Sequence, residues 1–353
     1  MTLCLQIAAL LIVLGSFVPL IRNDSWWIRV WDFPRLQLLI VGIILMAALI
    51  GKGAIADAGD WIIVGLLAAA TIHLAARVFP YQSFAPNQVA SGRHSTGVRL
   101  LISNVLMDNR EADALLQLVR EEKPDVLIAL ETDEFWARHL DRLADQLPHR
   151  VSVPQPDTYG LVLMSRLPLI DAEVKYLVRE NIPSVHGQIE METGERVRFH
   201  ALHPKPPFPS EDETSTERDI ELIVVAQQIR ETGGPTLVFG DMNDVAWSHT
   251  TRLFRRISGL LDPRIGRGMF STFHAGHWWA RWPLDHVFVS REFRVRELRR
   301  LPSVGSDHFP MLADLAYEPE RKETQEKPDA DSRDFEERDE RVTEQPDHPK
   351  PAN

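Results

Sequence analysis

Polar residues of a particular kind recur where apolar runs stop. LLIS runs into Asn104, VLIAL into Glu131, RFHAL into His203, and TLVFG into Asp241 and Asn243. Asp285 stands just before the apolar VFV, and Ser306, Asp307 and His308 form a run near the end of the same region. A buried strand places its terminal polar residue at the rim of the sheet, where α/β folds gather ligands. These residue types suit hydrolysis of a phosphate ester. Attack on phosphorus needs a positive centre for the non-bridging oxygens, a group to deprotonate water and a means of stabilising the leaving oxygen. Mg²⁺ takes oxygen ligands, keeps several waters and is held by one or two carboxylates. Glu131 and Asp307 meet that requirement, with Asn104 as a neutral oxygen ligand or an orienting group. Asp241 and Asn243, two apart on an extended segment, point the same way, so one can aim a water while the other holds a phosphoryl oxygen. His308 is a candidate phosphate contact or acid–base group, and a carboxylate such as Asp285 would fix its tautomer and raise its pKa. A set richer in carboxylates and amides than in histidines suits a hard cation rather than zinc. The expected cofactor is Mg²⁺, with Mn²⁺ able to substitute.

Each residue alone has a plainer reading, and Asn104 or Asp241 by itself is a turn former or helix cap. Six rim positions of complementary chemistry are harder to assign to turns. The elements that must position them alternate between strand and helix patterns. Residues 98–103, 125–130, 160–164, 197–202, 236–239 and 287–289 read as short strands. Residues 111–122 have helical spacing, with Leu115, Leu116 and Val119 on one side, and 216–230 form a second helix. Many short strands with interspersed helices predict an α/β domain with more than one sheet layer.

Outside that region the composition changes. Residues 3–21 are apolar and carry no formal charge, about the 20 residues needed to cross a hydrocarbon core. Residues 36–50 and 61–76 are two further runs, rimmed by Trp26, Trp27, Trp31 and Trp61, which favour the headgroup level. Three transmembrane helices are therefore expected within 1–80, the alternative being a hydrophobic helical subdomain. The first run lacks a basic n-region and a small-residue cleavage site, so a cleaved signal peptide is not expected. His73 reads as a structural histidine. Arg22, Arg29 and Arg35 in the first loop and Arg77, Arg93 and Arg99 after the third run, against Lys52 alone in the second loop, place the large domain in the cytoplasm of a multi-pass membrane protein. Residues 81–96 read as a linker, 97–317 as the catalytic domain, and 318–353 as a charged, disordered tail. Of the 353 residues only Cys4 is a cysteine, which excludes an intrachain disulfide framework and a Cys-rich zinc site. A net charge of −11 argues against tight sequence-independent binding to long nucleic acid, but a metal ion can supply positive charge locally.

The strings GDMND, LDH before an apolar strand, and SDHFP, with SNVLMDN, LIALE and YGLVLMSRLPL upstream, resemble the endonuclease/exonuclease/phosphatase (DNase I-like) superfamily. The resemblance spans roughly 98–315. It implies a four-layer α/β/β/α sandwich of two packed sheets, with the site at one edge. It further implies Asn104 and Glu131 at the metal with Asp307 nearby, Asp241 orienting or deprotonating the water, and Asn243 binding the phosphate. His308 would contact the scissile phosphate and be held by Asp285, and His203 would be a second phosphate-facing histidine. On the residues alone His203 is weaker, because His200, three positions earlier, reads as a surface residue of the same strand.

The sequence also departs from the family pattern. His286 follows Asp285 where a Tyr is common, and it is either structural or a substrate contact. The patch His277, Trp278, Trp279 and Trp282 is core packing or a rim lip, or else it stacks bases or enters lipid headgroups. Trp247 and Ser248 after GDMND look like bacterial membrane-anchored members and unlike the inositol polyphosphate 5-phosphatases. The expectation is a membrane-anchored Mg²⁺-dependent phosphoesterase acting on a phosphodiester or phosphomonoester. Its substrate would be a small molecule, a lipid headgroup or a nucleic acid. The alternatives are a membrane-tethered nuclease and an inactive membrane scaffold. No protein partner is inferable.

Overall fold

The computed structural model describes residues 2–51, 57–93, 96–208 and 212–343. Two sheets face each other. The first has the order β10–β11–β1–β2–β4–β3, built from β1 (Gly97–Asn104), β2 (Val126–Leu130), β3 (His149–Val153), β4 (Leu161–Ser165), β10 (Phe293–Arg300) and β11 (Met311–Tyr317). The second runs β5–β6–β7–β8–β9, from β5 (Leu169–Lys175), β6 (Ser184–Glu190), β7 (Arg196–Leu202), β8 (Thr236–Asp241) and β9 (Asp285–Val289). Strand alternation distributes their apolar side chains between layers. Leu100, Ile102, Val126, Ile128, Leu237 and Phe239 enter the core between the sheets. Leu101, Leu127 and Ala129 face outward onto α5 (Ala112–Glu122) and α6 (Glu134–Leu140). Val238 and Phe288 do the same on the second sheet under α7 (Thr216–Thr232) and α8 (His249–Ser258). Burial on both faces explains why these strands are continuous apolar runs rather than alternating ones. The result is the expected helix–sheet–sheet–helix sandwich.

The amino-terminal region forms α1 (Thr2–Phe17), α2 (Trp26–Arg29), α3 (Arg35–Gly51) and α4 (Ala58–Val78). Two stretches, Leu3–Leu20 and Ala58–Tyr81, are long and apolar enough to cross a membrane. A third span results only if the segments Trp26–Asp32 and Arg35–Gly51, bent by 67° at their junction, count as one. The expected three spans thus become two or three. Lys52, used in the orientation argument, lies outside the described residues.

Two expectations need correction. Residues 81–96, read as a linker, are pinned to the domain at several described points, although Phe84, Pro86 and Asn87 stay exposed. Val89 is fully buried, and the Gly92 N–H donates to the Val295 carbonyl while the Val295 N–H donates to Ala90, so this segment extends the edge at β10. Residues 318–343, read as a disordered tail, are also ordered. Gln325 is buried and its amide donates to the carbonyls of Arg291 and Phe293. The helix α9 (Ser332–Thr343) is anchored by Arg256 on Asp334 at 2.7 Å and by His249 on Glu337 at 2.7 Å. Composition missed both because the first is held by isolated apolar anchors such as Tyr81 and Val89 without a periodic run, and the second largely by polar pairs to distant residues. Residues 344–353 of that tail lie outside the described residues.

Candidate active site

Strand register gathers the rim residues. β1 and β2 are parallel neighbours with Asn104 opposite Leu130, so Asn104 and the next residue, Glu131, lie side by side. β8 and β9 are antiparallel with Asp241 opposite Asp285. β7 runs parallel to β8 with Leu202 opposite Gly240, which brings His203 beside Asp241. Asn104 Nδ2 donates to Glu131 Oε1 at 2.8 Å and to Asp241 Oδ2 at 3.2 Å, joining one sheet's rim to the other's. His308, just before β11, completes the cluster. Its Nδ1 is 2.9 Å from Asp285 Oδ2 and its Nε2 is 3.5 Å from Asp241 Oδ2. Ligand atoms of Asp241, Asp285 and His308 all lie within 4.8 Å of one another.

Backbone geometry and neighbours fix these side chains. Glu131 and Asn243 both have positive φ, +59° and +49°. Asn tolerates that region, while for Glu131 it is a strained conformation of the kind held at functional sites. The Asn243 N–H donates to Asp241 Oδ1 at 2.9 Å, and its side-chain amide donates to the Pro204 carbonyl at 2.9 Å. The His308 N–H donates to Ser306 Oγ, and the Asp307 carbonyl accepts from Ala275. Phe273 packs its ring 4.9 Å from that of His308, and Thr272 Oγ1 accepts from the Asp285 N–H. Thr272 and Phe273 carried no sequence signal, since they lie in an irregular loop without a strand-end pattern.

Charge is distributed unevenly. Burial pushes Glu131 up to about 7, opposed by the Asn104 hydrogen bond and by His308, with Asp241 and Asp307 adding to the rise. Burial would depress His308, but Asp285 and Asp241 raise it to about 10, so it is an imidazolium at neutral pH. Burial also opposes ionisation of Asp241, yet His308 and His203 hold its carboxyl below the usual range. His203 is buried beside it and lowered by desolvation, and its Nδ1 has no hydrogen-bond partner. The second oxygen of Asp285 is likewise buried without a partner.

Other residues raised by the sequence settle differently. His286 is fully buried, with Nε2 2.9 Å from the Asp244 carbonyl and Nδ1 2.8 Å from Arg264 Nη2; it is structural. His200 is not a surface residue: β7 places it on the outer face of the second sheet, where it is buried against His186, Nδ1 to Nδ1 at 2.7 Å. Trp247 is buried and donates to the Asp32 carbonyl at 2.7 Å, and Ser248 caps α8 by accepting from Thr251. Trp278 and Trp279 are neither core nor buried, at 82% and 62% exposed.

A two-sheet sandwich whose facing rims converge on carboxylates, an amide and a buried imidazolium belongs to a hydrolase of phosphoester bonds. The chain belongs to the Endonuclease/Exonuclease/phosphatase family, whose sequence profile matches residues 101–308. Among solved structures it is similar to D. rerio TDP2 complexed with single-strand DNA product (TM-score 0.53, 17% identity, 63% of this chain and 99% of that one). It is also similar to the human Nocturnin catalytic domain with bound sulfate (0.51, 17%, 62% and 94%). A third is an endonuclease/exonuclease/phosphatase from Beutenbergia cavernae (0.50, 18%, 63% and 72%). At these identities the likeness is one of fold. A search of curated proteins returned no match.

Proposed function

We propose that the chain is a membrane-anchored, divalent-cation-dependent phosphoesterase whose cation is held by Asn104, Glu131 and Asp307. The observation that carries this reading is the rim where Asn104 donates to both Glu131 and Asp241, and where burial, with Asp241 and Asp307 adding to it, pushes Glu131 up to about 7. That excess of buried negative charge is what a hard cation relieves, and the oxygen donors suit Mg²⁺ or Mn²⁺. The Asp241–Asp285–His308 cluster is a less apt cradle, because both His308 nitrogens already face carboxylates. The bound cation would supply charge to the non-bridging oxygens and lower the pKa of a coordinated water.

The chain's own groups do the rest. Asp241, held ionised by His308 and His203, aims the attacking water. Its depressed pKa makes it a better orienting group than base. The water oxygen bonds to phosphorus as the ester P–O bond breaks; the water gives up a proton to solvent, and the leaving oxygen takes one from solvent to depart as the alcohol. Protonated His308, fixed by Asp285, presents Nε2 to a phosphoryl oxygen. Asn243 and His203, next to Asp241, are the further candidates for contact with the same group. The domain boundaries follow suit: membrane helices within 1–80, catalytic sandwich within 97–317.

A small or lipid-borne phosphoester is favoured over long nucleic acid. Many surface arginines of the sandwich are neutralised in pairs such as Arg99–Asp314, Arg110–Asp133, Arg166–Asp125 and Arg179–Glu217, which weakens any continuous basic surface for phosphates. Detergent-solubilised protein should hydrolyse phospholipid headgroup substrates and leave plasmid DNA intact at physiological salt. Robust nicking would overturn this preference and favour the tethered nuclease.

A further inference from the structure

Between the start of α3 and the loop 270–282 lies an open groove of about 870 Å³, lined on the helix side by Ile40 and Val41 and on the loop side by Trp278, Trp279 and Arg281. Gln37 ties the two walls by donating to the Trp279 carbonyl at 3.0 Å. Ile40 and Val41 are 48% and 43% exposed and continue into exposed Ile43 and Ile44, so the apolar wall is part of the outward face of α3. Trp278 and Trp279 extend that face onto the catalytic domain. Such exposed indoles beside an apolar helix suit the headgroup level of a bilayer.

The groove's polar end is positively charged. Arg281 and Arg300 both line it and stack on Phe309, 5.0 and 4.4 Å from the ring centre. Among the described residues neither has a carboxylate partner; Arg281 donates to the Ala275 carbonyl and Arg300 to that of Ser271. This differs from Arg299 beside them, which is taken by Glu122 and Glu297. Two like charges held together without a counter-charge form a site for an anion.

We propose that this groove seats a bilayer phospholipid with a net-negative headgroup, its acyl chain along Ile40, Val41 and the two tryptophans and its phosphate between Arg281 and Arg300. The inference rests on reading the amino-terminal helices as membrane spans. Its occupant is argued from complementarity at both ends and from continuity with the apolar face of α3. The loop wall is also the wall of the active site: Phe273 packs on His308, and Ala275 donates to the Asp307 carbonyl. A seated lipid therefore fixes the catalytic rim against the membrane surface.

The full chain in phosphatidylcholine nanodiscs, doped with a minor fraction of brominated phosphatidylglycerol or of brominated phosphatidylcholine, tests this through tryptophan quenching. The Trp278→Phe/Trp279→Phe variant isolates the contribution of the two groove indoles. That contribution should be quenched more strongly by the anionic lipid, and each arginine removed should lower the preference about fivefold. Arg300→Gln alone, at an exposed position, keeps the comparison free of folding loss. Equal quenching by the two lipids would overturn headgroup recognition. Quenching unchanged in the double Phe variant would remove the groove from the bilayer, while Trp27 and Trp61 still report insertion. Absence of quenching at those two as well would overturn the membrane reading and this inference together.

Discussion

Asp285 has one oxygen on His308 and the other buried without a partner, and it lies opposite Asp241 across the β8–β9 pair. On the proposed mechanism it holds His308 charged and oriented toward Asp241. Replacing Asp241 or His308 by Ala should lower the hydrolytic rate on the order of 10²-fold or more, with the circular dichroism spectrum unchanged. Asp285→Asn should behave differently. The imidazole keeps a hydrogen-bond partner but loses the carboxylate that raises it to about 10. The alkaline limb of the pH–rate profile should therefore move to lower pH, and a profile that merely scales down would show that Asp285 serves packing alone. Most of this cluster was legible in the sequence because each member follows or precedes an apolar strand. What the strings could not convey is which oxygen meets which nitrogen, nor the Thr272 and Phe273 support, since both depend on how an irregular loop folds back over His308.

At the scale of elements, the site depends on close backbone contact between neighbouring strands. Gly240 has φ +141°, and a Cβ there would stand 2.0 Å from the Leu202 carbonyl oxygen. Gly240→Ala should lower both Tm and activity, because Asp241 is the next residue and shifts with the strand. Beneath the second sheet's helices, Glu221 on α7 is buried, with one oxygen unpartnered, and burial raises it to about 8. A carboxyl raised from 4.5 to about 8 binds its proton more tightly in the folded state. Stability is then lost as pH rises from about 4.5 through 8. Glu221→Gln should show little difference from wild type near pH 4.5 and a higher Tm at pH 8, measured by thermal unfolding in detergent. A Tm difference independent of pH would contradict that assignment. The apolar strands and α5 were evident from periodicity, whereas the edge segment before β1 and the ordered tail were not. Their binding is encoded in partners far along the chain, such as Gln325 for Ala90 and Asp334 for Arg256, and no local pattern announces those pairs.

For the whole molecule, the helices, sandwich and tail form a connected structure rather than a domain on a tether. Trp26 donates to the Glu213 carbonyl, Tyr81 to the Ala246 carbonyl at 2.7 Å, and Trp247 to that of Asp32. Arg341 on α9 reaches both Asp24, between α1 and α2, and Asp219 on α7, at 3.2 and 3.1 Å. Asp219 in turn pairs with Arg218, whose other nitrogen donates to the Asn243 carbonyl at 2.9 Å in the site loop. Arg341→Ala should lower Tm by a few degrees through loss of these pairs, and an unchanged Tm would show that α9 is not coupled to the rest. The central claim, metal-assisted attack of water on a phosphoester, is tested most directly by hydrolysis of bis-p-nitrophenyl phosphate. The detergent-solubilised full chain would be assayed with Mg²⁺, Mn²⁺ or EDTA, alongside Asp241→Ala. Turnover that requires the cation, vanishes in EDTA and collapses in the variant is the predicted result; turnover that persists in EDTA, or that is untouched by Asp241→Ala, would contradict it.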